Sequence, residues 1–227
     1  MCGRVTITVP REELSKYLYD YFSINDNDIL DYSPSYNVAP SQNVLSIISD
    51  GSKYRVGHLK WGFVPEYTKD EKSFTMINTR SETIDTLPTF RNSFINKRCI
   101  IPVDSFYEWK KVQNSKQPVR IMMKDKSIFL LAGIWSTFIR EDNSKLFTFS
   151  IVTTVANDLM KDIHNRMPVI LNHEETKLWL DPRNKDINNL KKLLLPYDND
   201  KMITYPVSSE VNSPKNNYES LIKEIKI

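Results

Sequence analysis

A chain of 227 residues with 40% hydrophobic, 26% charged and 11% aromatic content is long enough to bury a sizeable core and too apolar for a disordered polymer. No stretch approaches the roughly 18 apolar residues a membrane helix needs, and the N-terminus lacks the apolar core of a signal peptide. A net charge of +3 permits a nucleic-acid partner without demanding one, so the expectation is one cytoplasmic domain over residues 1–227 with no membrane partner.

Residues 10–22 read as an amphipathic helix, with Leu14, Leu18, Tyr21 and Phe22 on one face, Pro10 near its start and Glu12 and Glu13 in the first turn. Strand-like runs follow at 44–48, 54–64, 98–103, 105–109, 119–123, 128–135 and 146–154. Helical patterns return at 155–163, at 174–180 behind the cap Asn172, and at 187–195, with Asp181-Pro182 stopping the second. Strand spacings of about eight to twelve residues favour hairpins over crossover connections. The predicted class is therefore α+β, mainly antiparallel, with peripheral helices around a curved sheet or barrel. No internal repeat or low-complexity tract divides the chain.

Two cysteines, Cys2 and Cys99, support neither a disulfide framework nor a Cys-rich zinc site. Cys99 sits in the apolar run Arg98-Cys99-Ile100-Ile101 and reads as a buried, inert thiol. Cys2 differs, because loss of Met1 would place a free α-amine and a thiol on one residue. Such a 1,2-aminothiol condenses with an aldehyde to an imine, and the thiol then closes a five-membered thiazolidine ring in an intramolecular step. The α-amine, with a reference pKa of about 7.7–8.0, has a much larger neutral fraction at pH 7 than a lysine near 10.4. Met-Cys starts also occur by chance, so the weight falls on what accompanies Cys2.

Four segments combine special backbone residues with reactive side chains: Tyr36-Asn37-Val38-Ala39-Pro40, Ile77-Asn78-Thr79-Arg80-Ser81-Glu82, Phe106-Tyr107-Glu108-Trp109 and Ile163-His164-Asn165-Arg166-Met167-Pro168. Asn78 and His164 occupy loop positions beside predicted element ends, where functional groups concentrate. Strand alternation turns Tyr107 and Trp109 to one face and Glu108 to the other, toward solvent or into a pocket. His164 is either a hydrogen-bonded structural residue or a general acid. Arg80 could pair with Glu82 or another acid, and Asn37 with Pro40 could simply build a turn. Three scattered histidines, His58, His164 and His173, do not make a metal site. Lys60-Trp61-Gly62-Phe63, with Arg4, Arg80, Arg98, Lys110, Lys111 and Arg166, offers the cations and aromatics that single strands bind, although Trp61 suits a core equally well.

Taken together, these segments resemble the SRAP family, the SOS response-associated peptidase or abasic-site-processing proteins. The resemblance runs through Met1 to Arg4, Tyr36 to Pro40, Trp61 to Pro65, Ile77 to Thr83, Phe106 to Lys111, Ile163 to Leu171 and Pro206-Val207-Ser208 with Val211-Asn212, nearly the whole chain. It implies a compact α+β domain with a barrel-like core that binds single-stranded DNA containing abasic sites and cross-links to it. By the same resemblance Cys2 would form the thiazolidine, Asn78 would position the reacting groups, Glu108 would handle protons and His164 would assist sugar-ring opening. Arg4, Asn37, Trp61, Arg80 and Thr153 would lie near the DNA. Thr79 stands where a small alanine is expected, which touches packing and leaves Asn78 and Arg80 in place. No cofactor or metal is implied, the chain is expected to act as a monomer, and a bacterial protein of this kind would associate with the nucleoid. A weak lyase activity would follow from elimination through the imine.

Three rival readings remain at this point. One is a thiol peptidase or autoprotease built from Cys2, His164 and Asn78. Another is an N-terminal-nucleophile amidase, since glutamine amidotransferases also begin Met-Cys-Gly. The third is a single-strand binding module with no covalent step.

Overall fold

The computed structural model describes residues 2–71 and 75–226. Its elements in chain order are β1 (Val5–Ile7), α1 (Arg11–Phe22), β2 (Ser35–Val38), β3 (Asn43–Ser49), β4 (Tyr54–Trp61), β5 (Asn78–Arg80), α2 (Pro88–Asn96), β6 (Arg98–Val103), β7 (Ser105–Val112), β8 (Ser115–Met123), β9 (Phe129–Ile139), β10 (Lys145–Val155), α3 (Asp158–Lys161), β11 (Arg166–Pro168), β12 (Ile170–Leu171), α4 (His173–Leu180), α5 (Ile187–Lys192) and β13 (Met202–Pro206). Each predicted strand run falls on one of these strands.

β10, β4, β3, β6 and β9 are hydrogen-bonded in that order, and β9 pairs back onto β10, so the five strands close into a barrel. Closure leaves these strands without a free edge, the usual answer to edge-to-edge association. A second, antiparallel sheet runs β13-β8-β7-β1-β2. The fold is thus α+β with a barrel core, as the patterning predicts. One feature departs from the hairpin expectation: β10 pairs in parallel with both β4 and β5. Those pairings join strands far apart in sequence, beyond the reach of local spacing rules.

Two large cores follow from the alternation of the barrel strands. On one side Leu14, Leu18 and Phe22 of α1 pack with Phe94 of α2, Trp179 of α4 and the strand residues Ile47, Ile100 and Ile134. Tyr21, predicted on the same face, is 47% exposed, and its ring lies flat on His173 at 3.6 Å. Helix rotation gives the inner position to Phe22, and Tyr21 covers the rim. On the other side Val5, Phe106 and Ile121 of the second sheet pack with Trp61, Cys99, Ile101, Phe149 and Ile151 of the barrel, and Cys2 belongs to this cluster. Cys99 is fully buried, as its apolar run predicts. Arg98, grouped by sequence with nucleic-acid-facing cations, is buried instead, donating to the carbonyls of Phe94, Ile95, Trp179, Asp181 and Asn184. It closes the C-terminal ends of α2 and α4, whose last carbonyls lack helical partners.

Several boundaries move for local reasons. The strand predicted over 54–64 ends at Trp61 because Gly62 adopts φ +134°, a conformation open to glycine. The helix predicted over 155–163 shrinks to Asp158–Lys161, since β10 continues to Val155 and the Asn157 side chain then caps the helix by accepting from the Met160 N–H. The helix at 187–195 ends at Lys192. Asn172 caps α4 as predicted, accepting from the Glu175 N–H at 2.9 Å, and Glu175 reaches back to the Asn172 N–H at 2.9 Å to complete a capping box. Helix α2 has Pro88 in its first turn, a start signal the periodicity reading passed over.

Gly133 of β9 shows how tightly the barrel is filled. A Cβ there would stand 2.8 Å from Cys99 Sγ, 2.8 Å from Ile101 Cδ1 and 3.3 Å from the Ser150 carbonyl oxygen. Ile101 Cδ1 can swing away, but the short Cys99 side chain cannot. Gly133→Ala should therefore lower the unfolding free energy by about 1–3 kcal/mol in urea titration, and an unchanged midpoint would contradict this packing.

Candidate active site

The N-terminal segment enters the seam between barrel and second sheet as β1 pairs antiparallel with β7, Val5 opposite Phe106. The Tyr107 N–H donates to the Arg4 carbonyl at 2.9 Å, carrying the pairing one residue further toward the start of the chain. Continued, this register sends Cys2 toward the Glu108 end of β7. Cys2 is fully buried there. Burial pushes its thiol above the ordinary range, and the negative charge of Glu108 pushes it the same way, against the Arg4 main-chain N–H.

Asn78 opens β5, held opposite Ile151 of β10 by the parallel ladder. The preceding residue is pinned twice through its carbonyl, which accepts from the Ile151 N–H at 3.1 Å and from the Trp61 indole Nε1 at 2.9 Å. With its backbone fixed, Asn78 directs Nδ2 at the Cys2 carbonyl, 2.8 Å away. Its Oδ1 is buried with no hydrogen-bond partner among the described residues. An orphaned acceptor beside a candidate nucleophile is a place for an incoming donor.

Glu108 resolves to the pocket side of its two sequence alternatives, being 2% exposed. The strand alternation holds, for Tyr107 and Trp109 pack on the other face with Val207, Val211 and Leu221. His164 is half-buried on the turn between α3 and β11. Its Nδ1 accepts from the Arg166 main-chain N–H at 3.0 Å, which leaves the neutral ring's proton on Nε2. β10 relates this turn to Asn78, since Thr153 is the register partner of both Arg80 on β5 and Pro168 on β11. A hydrogen bond thus joins Asn78 to Cys2, the charge of Glu108 reaches the Cys2 thiol, and the turn bearing His164 is related to Asn78 through β10.

The residues expected near DNA differ in exposure. Arg4, Asn37, Trp61 and Thr153 are 8%, 2%, 0% and 0% exposed, and only Arg80 of this set stands at the surface. Arg4 donates to Asn37 Oδ1 at 2.6 Å and to the Val211 carbonyl. Trp61 resolves to the core side of its two readings, stacked on Phe149 at 6.0 Å. Thr153 Oγ1 donates to the Thr79 carbonyl at 3.3 Å and takes an equally long hydrogen bond from Arg166 Nε. These four side chains hold the site's frame.

Arg166, read from sequence only as one cation among several, anchors that frame. Its guanidinium grips Glu82 with two hydrogen bonds of 2.7 and 2.9 Å and donates to the Thr153 carbonyl at 2.6 Å. These bonds, led by direct hydrogen bonding, hold the Glu82 carboxyl below its usual range. Glu82 therefore pairs with Arg166 and not with Arg80. Alternation along His164-Asn165-Arg166 was the available signal, but no local pattern names a partner 84 residues away. Among the described residues no group of three or more His, Cys, Asp or Glu side chains is placed to hold a metal ion.

Trp61→Phe removes both the indole hydrogen bond to the Ile77 carbonyl and part of a fully buried side chain. It should cost about 1–3 kcal/mol of stability in chemical denaturation; a variant as stable as the parent would show that Trp61 is not a packing residue.

Comparison with known proteins matches the chain over most of its length. The model of the family described as SOS response associated peptidase (SRAP) matches residues 1–214. The abasic site processing protein YoqW of Bacillus subtilis (strain 168) is 48% identical over 226 residues, covering 98% of this chain and 99% of that protein. The abasic site processing protein YedK of Escherichia coli (strain K12) is 32% identical over 188 residues, 79% of each chain. A crystal structure of a Bacteroides thetaiotaomicron protein superposes with a TM-score of 0.83 at 27% identity, covering 99% of this chain and all of that one. A family model matched over residues 1–214, with relatives 48% and 32% identical along most of the chain, places this protein in the SRAP family.

Proposed function

We propose that this protein processes abasic sites in single-stranded DNA by capturing the ring-opened sugar aldehyde on Cys2, exposed as the N-terminal residue by loss of Met1. Met1 itself lies outside the described residues. The observation that carries the reading is the seam where Asn78 Nδ2 holds the Cys2 carbonyl at 2.8 Å while Glu108 faces the thiol. YoqW and YedK, both named abasic site processing proteins, support it by kinship.

The chemistry divides among the residues present. The Cys2 α-amine adds to the aldehyde carbon, and the resulting carbinolamine loses water to give a protonated imine. The thiol sulfur then bonds to the imine carbon, its proton leaves, and the nitrogen is retained as the ring amine. Glu108 takes and returns these protons, which its buried position beside the sulfur suits. Asn78 Oδ1 accepts a hydrogen bond from the carbinolamine or a sugar hydroxyl. His164 donates a hydrogen bond through Nε2–H to the sugar-ring oxygen, which takes up the proton released by the anomeric hydroxyl as the ring opens. Elimination through the open imine would cleave the strand, and closure of the thiazolidine suppresses that branch. The lost base leaves nothing to read, so DNA contacts fall on phosphates and stacked neighbours, with Arg80 the exposed cation of the site.

The thiol-peptidase reading needs an activated thiolate. Burial and Glu108 both push the Cys2 thiol in the opposite direction, which favours an amine-first reaction.

A denaturing gel of protein incubated with a single-stranded oligonucleotide carrying one abasic site tests the proposal. The parent should give a band of retarded mobility that Cys2→Ala abolishes, whereas Glu108→Gln and His164→Ala should slow its appearance by about a hundredfold. Persistence of the band in Cys2→Ala, or its absence with the parent, would overturn the reading.

A further inference from the structure

The reactive end of the chain is fastened by the opposite end. Arg4 lies two residues after Cys2, and its guanidinium donates to Asn37 Oδ1 and to the Val211 carbonyl. Asn37 in turn spends its Nδ2 on the carbonyls of Val211, Ser213 and Asn216, at 3.3, 2.9 and 2.8 Å. The neighbouring Tyr36 N–H donates to Asn217 Oδ1 at 2.7 Å, and the Trp109 indole donates to Asn212 Oδ1 at 2.7 Å. Arg4 stands over the Trp109 ring, 5.8 Å from its centre. Apolar contacts complete the seal, with Val207, Val211 and Leu221 fully buried against Tyr107. The family match ends at residue 214, so Asn216 and Asn217 lie past it.

We infer that residues 207–222 act as a strap that positions the N-terminal nucleophile, with Asn37 the amide that couples strap to Arg4. The physical case rests on what each group would do without the others. Arg4 is a buried cation that, among the described residues, donates to one side-chain oxygen and one carbonyl and stands over the Trp109 ring; released from these oxygens, it would draw toward water and pull the adjoining backbone with it. That backbone places the Cys2 carbonyl on Asn78 and the sulfur against Glu108. Tyr107 and Trp109, which flank Glu108, touch the strap from the opposite face of β7, so the same segment steadies both partners of the proposed proton transfer. Asn37 and Arg4, implied by family resemblance to lie near the DNA, thus serve as positioning residues. The inference deepens the proposed capture chemistry and rests on it for its functional meaning.

Asn37→Asp is the discriminating variant. It keeps an oxygen for Arg4 but sets a carboxylate against three carbonyls, so the strap should lift while Arg4 stays neutralised. Two thiols allow a local effect to be told from a global one, because Cys2 and Cys99 are both fully buried. Iodoacetamide labelling resolved by peptide mass spectrometry should show Cys2 reacting about tenfold faster than in the parent, with Cys99 unchanged. In parallel, the maximal cross-linking rate on abasic single-stranded DNA should fall about tenfold at an unchanged half-saturating DNA concentration, since misplacement of a reacting group costs rate and not binding. Asn216→Ala/Asn217→Ala should show the same signature more weakly. Parental labelling of Cys2, or equal acceleration at Cys2 and Cys99, would overturn the strap. So would a raised half-saturating concentration with an unchanged maximal rate, which would make Asn37 a DNA contact. Failure of the parent to cross-link would count against the proposed function alone, because the labelling comparison does not involve DNA.

Discussion

The hydrogen bond from Asn78 Nδ2 to the Cys2 carbonyl is the constraint on which the site depends. A chain terminus is ordinarily the part of a protein least held, and here it is tied into the seam between a closed barrel and a second sheet. Everything behind Asn78 fixes that bond: the parallel ladder to β10, the Ile77 carbonyl clamped by Ile151 and Trp61, and the stacking of Trp61 on Phe149. Everything behind Cys2 fixes the other half, through β1 on β7 and the buried guanidinium of Arg4. The consequence is preorganisation, so that a reacting aldehyde meets groups that need not be gathered first.

Burial then sets the character of the chemistry. A thiol pushed upward by desolvation and by a facing carboxylate is a poor free nucleophile, which in the proposed mechanism suits it to closing a ring on an electrophile already attached next door. In that proposal the same carboxylate that discourages thiolate formation takes the proton that leaves during closure. On the rim, the Arg166–Glu82 fork keeps the turn bearing His164 against β10 through Thr153, and the Arg166 N–H fixes which imidazole nitrogen carries the proton.

Much of this frame was legible from residue patterns. Leu14, Leu18 and Phe22 mark the buried stripe of α1, the apolar run Arg98–Val103 coincides with β6, and alternation around Glu108 separates it from Tyr107 and Trp109 as found. Other elements left no periodic trace, because β5, β11 and β12 span three, three and two residues and owe their form to β10 and β9 rather than to propensity. Parallel pairing of β5 with β10 joins Asn78 to Ile151, a relation no hairpin spacing contains. Of the expected site residues, Asn78 is hydrogen-bonded to Cys2 and the charge of Glu108 acts on the Cys2 thiol. Trp61, Arg98 and Arg4 could not be assigned from sequence for one reason: aromatics and cations beside a cleft look alike whether they face a phosphate or a backbone carbonyl, and only burial tells the two apart.

The central claim is that one residue offers nitrogen and sulfur jointly to a sugar carbon, and the covalent adduct reports on that directly. After cross-linking to abasic single-stranded DNA and nuclease digestion, tandem mass spectrometry of the N-terminal peptide should find a chain beginning at Cys2, carrying the sugar remnant, with its sulfur closed to alkylation. A peptide still bearing Met1, a remnant on any other residue, or an adduct whose Cys2 sulfur alkylates freely would contradict the account.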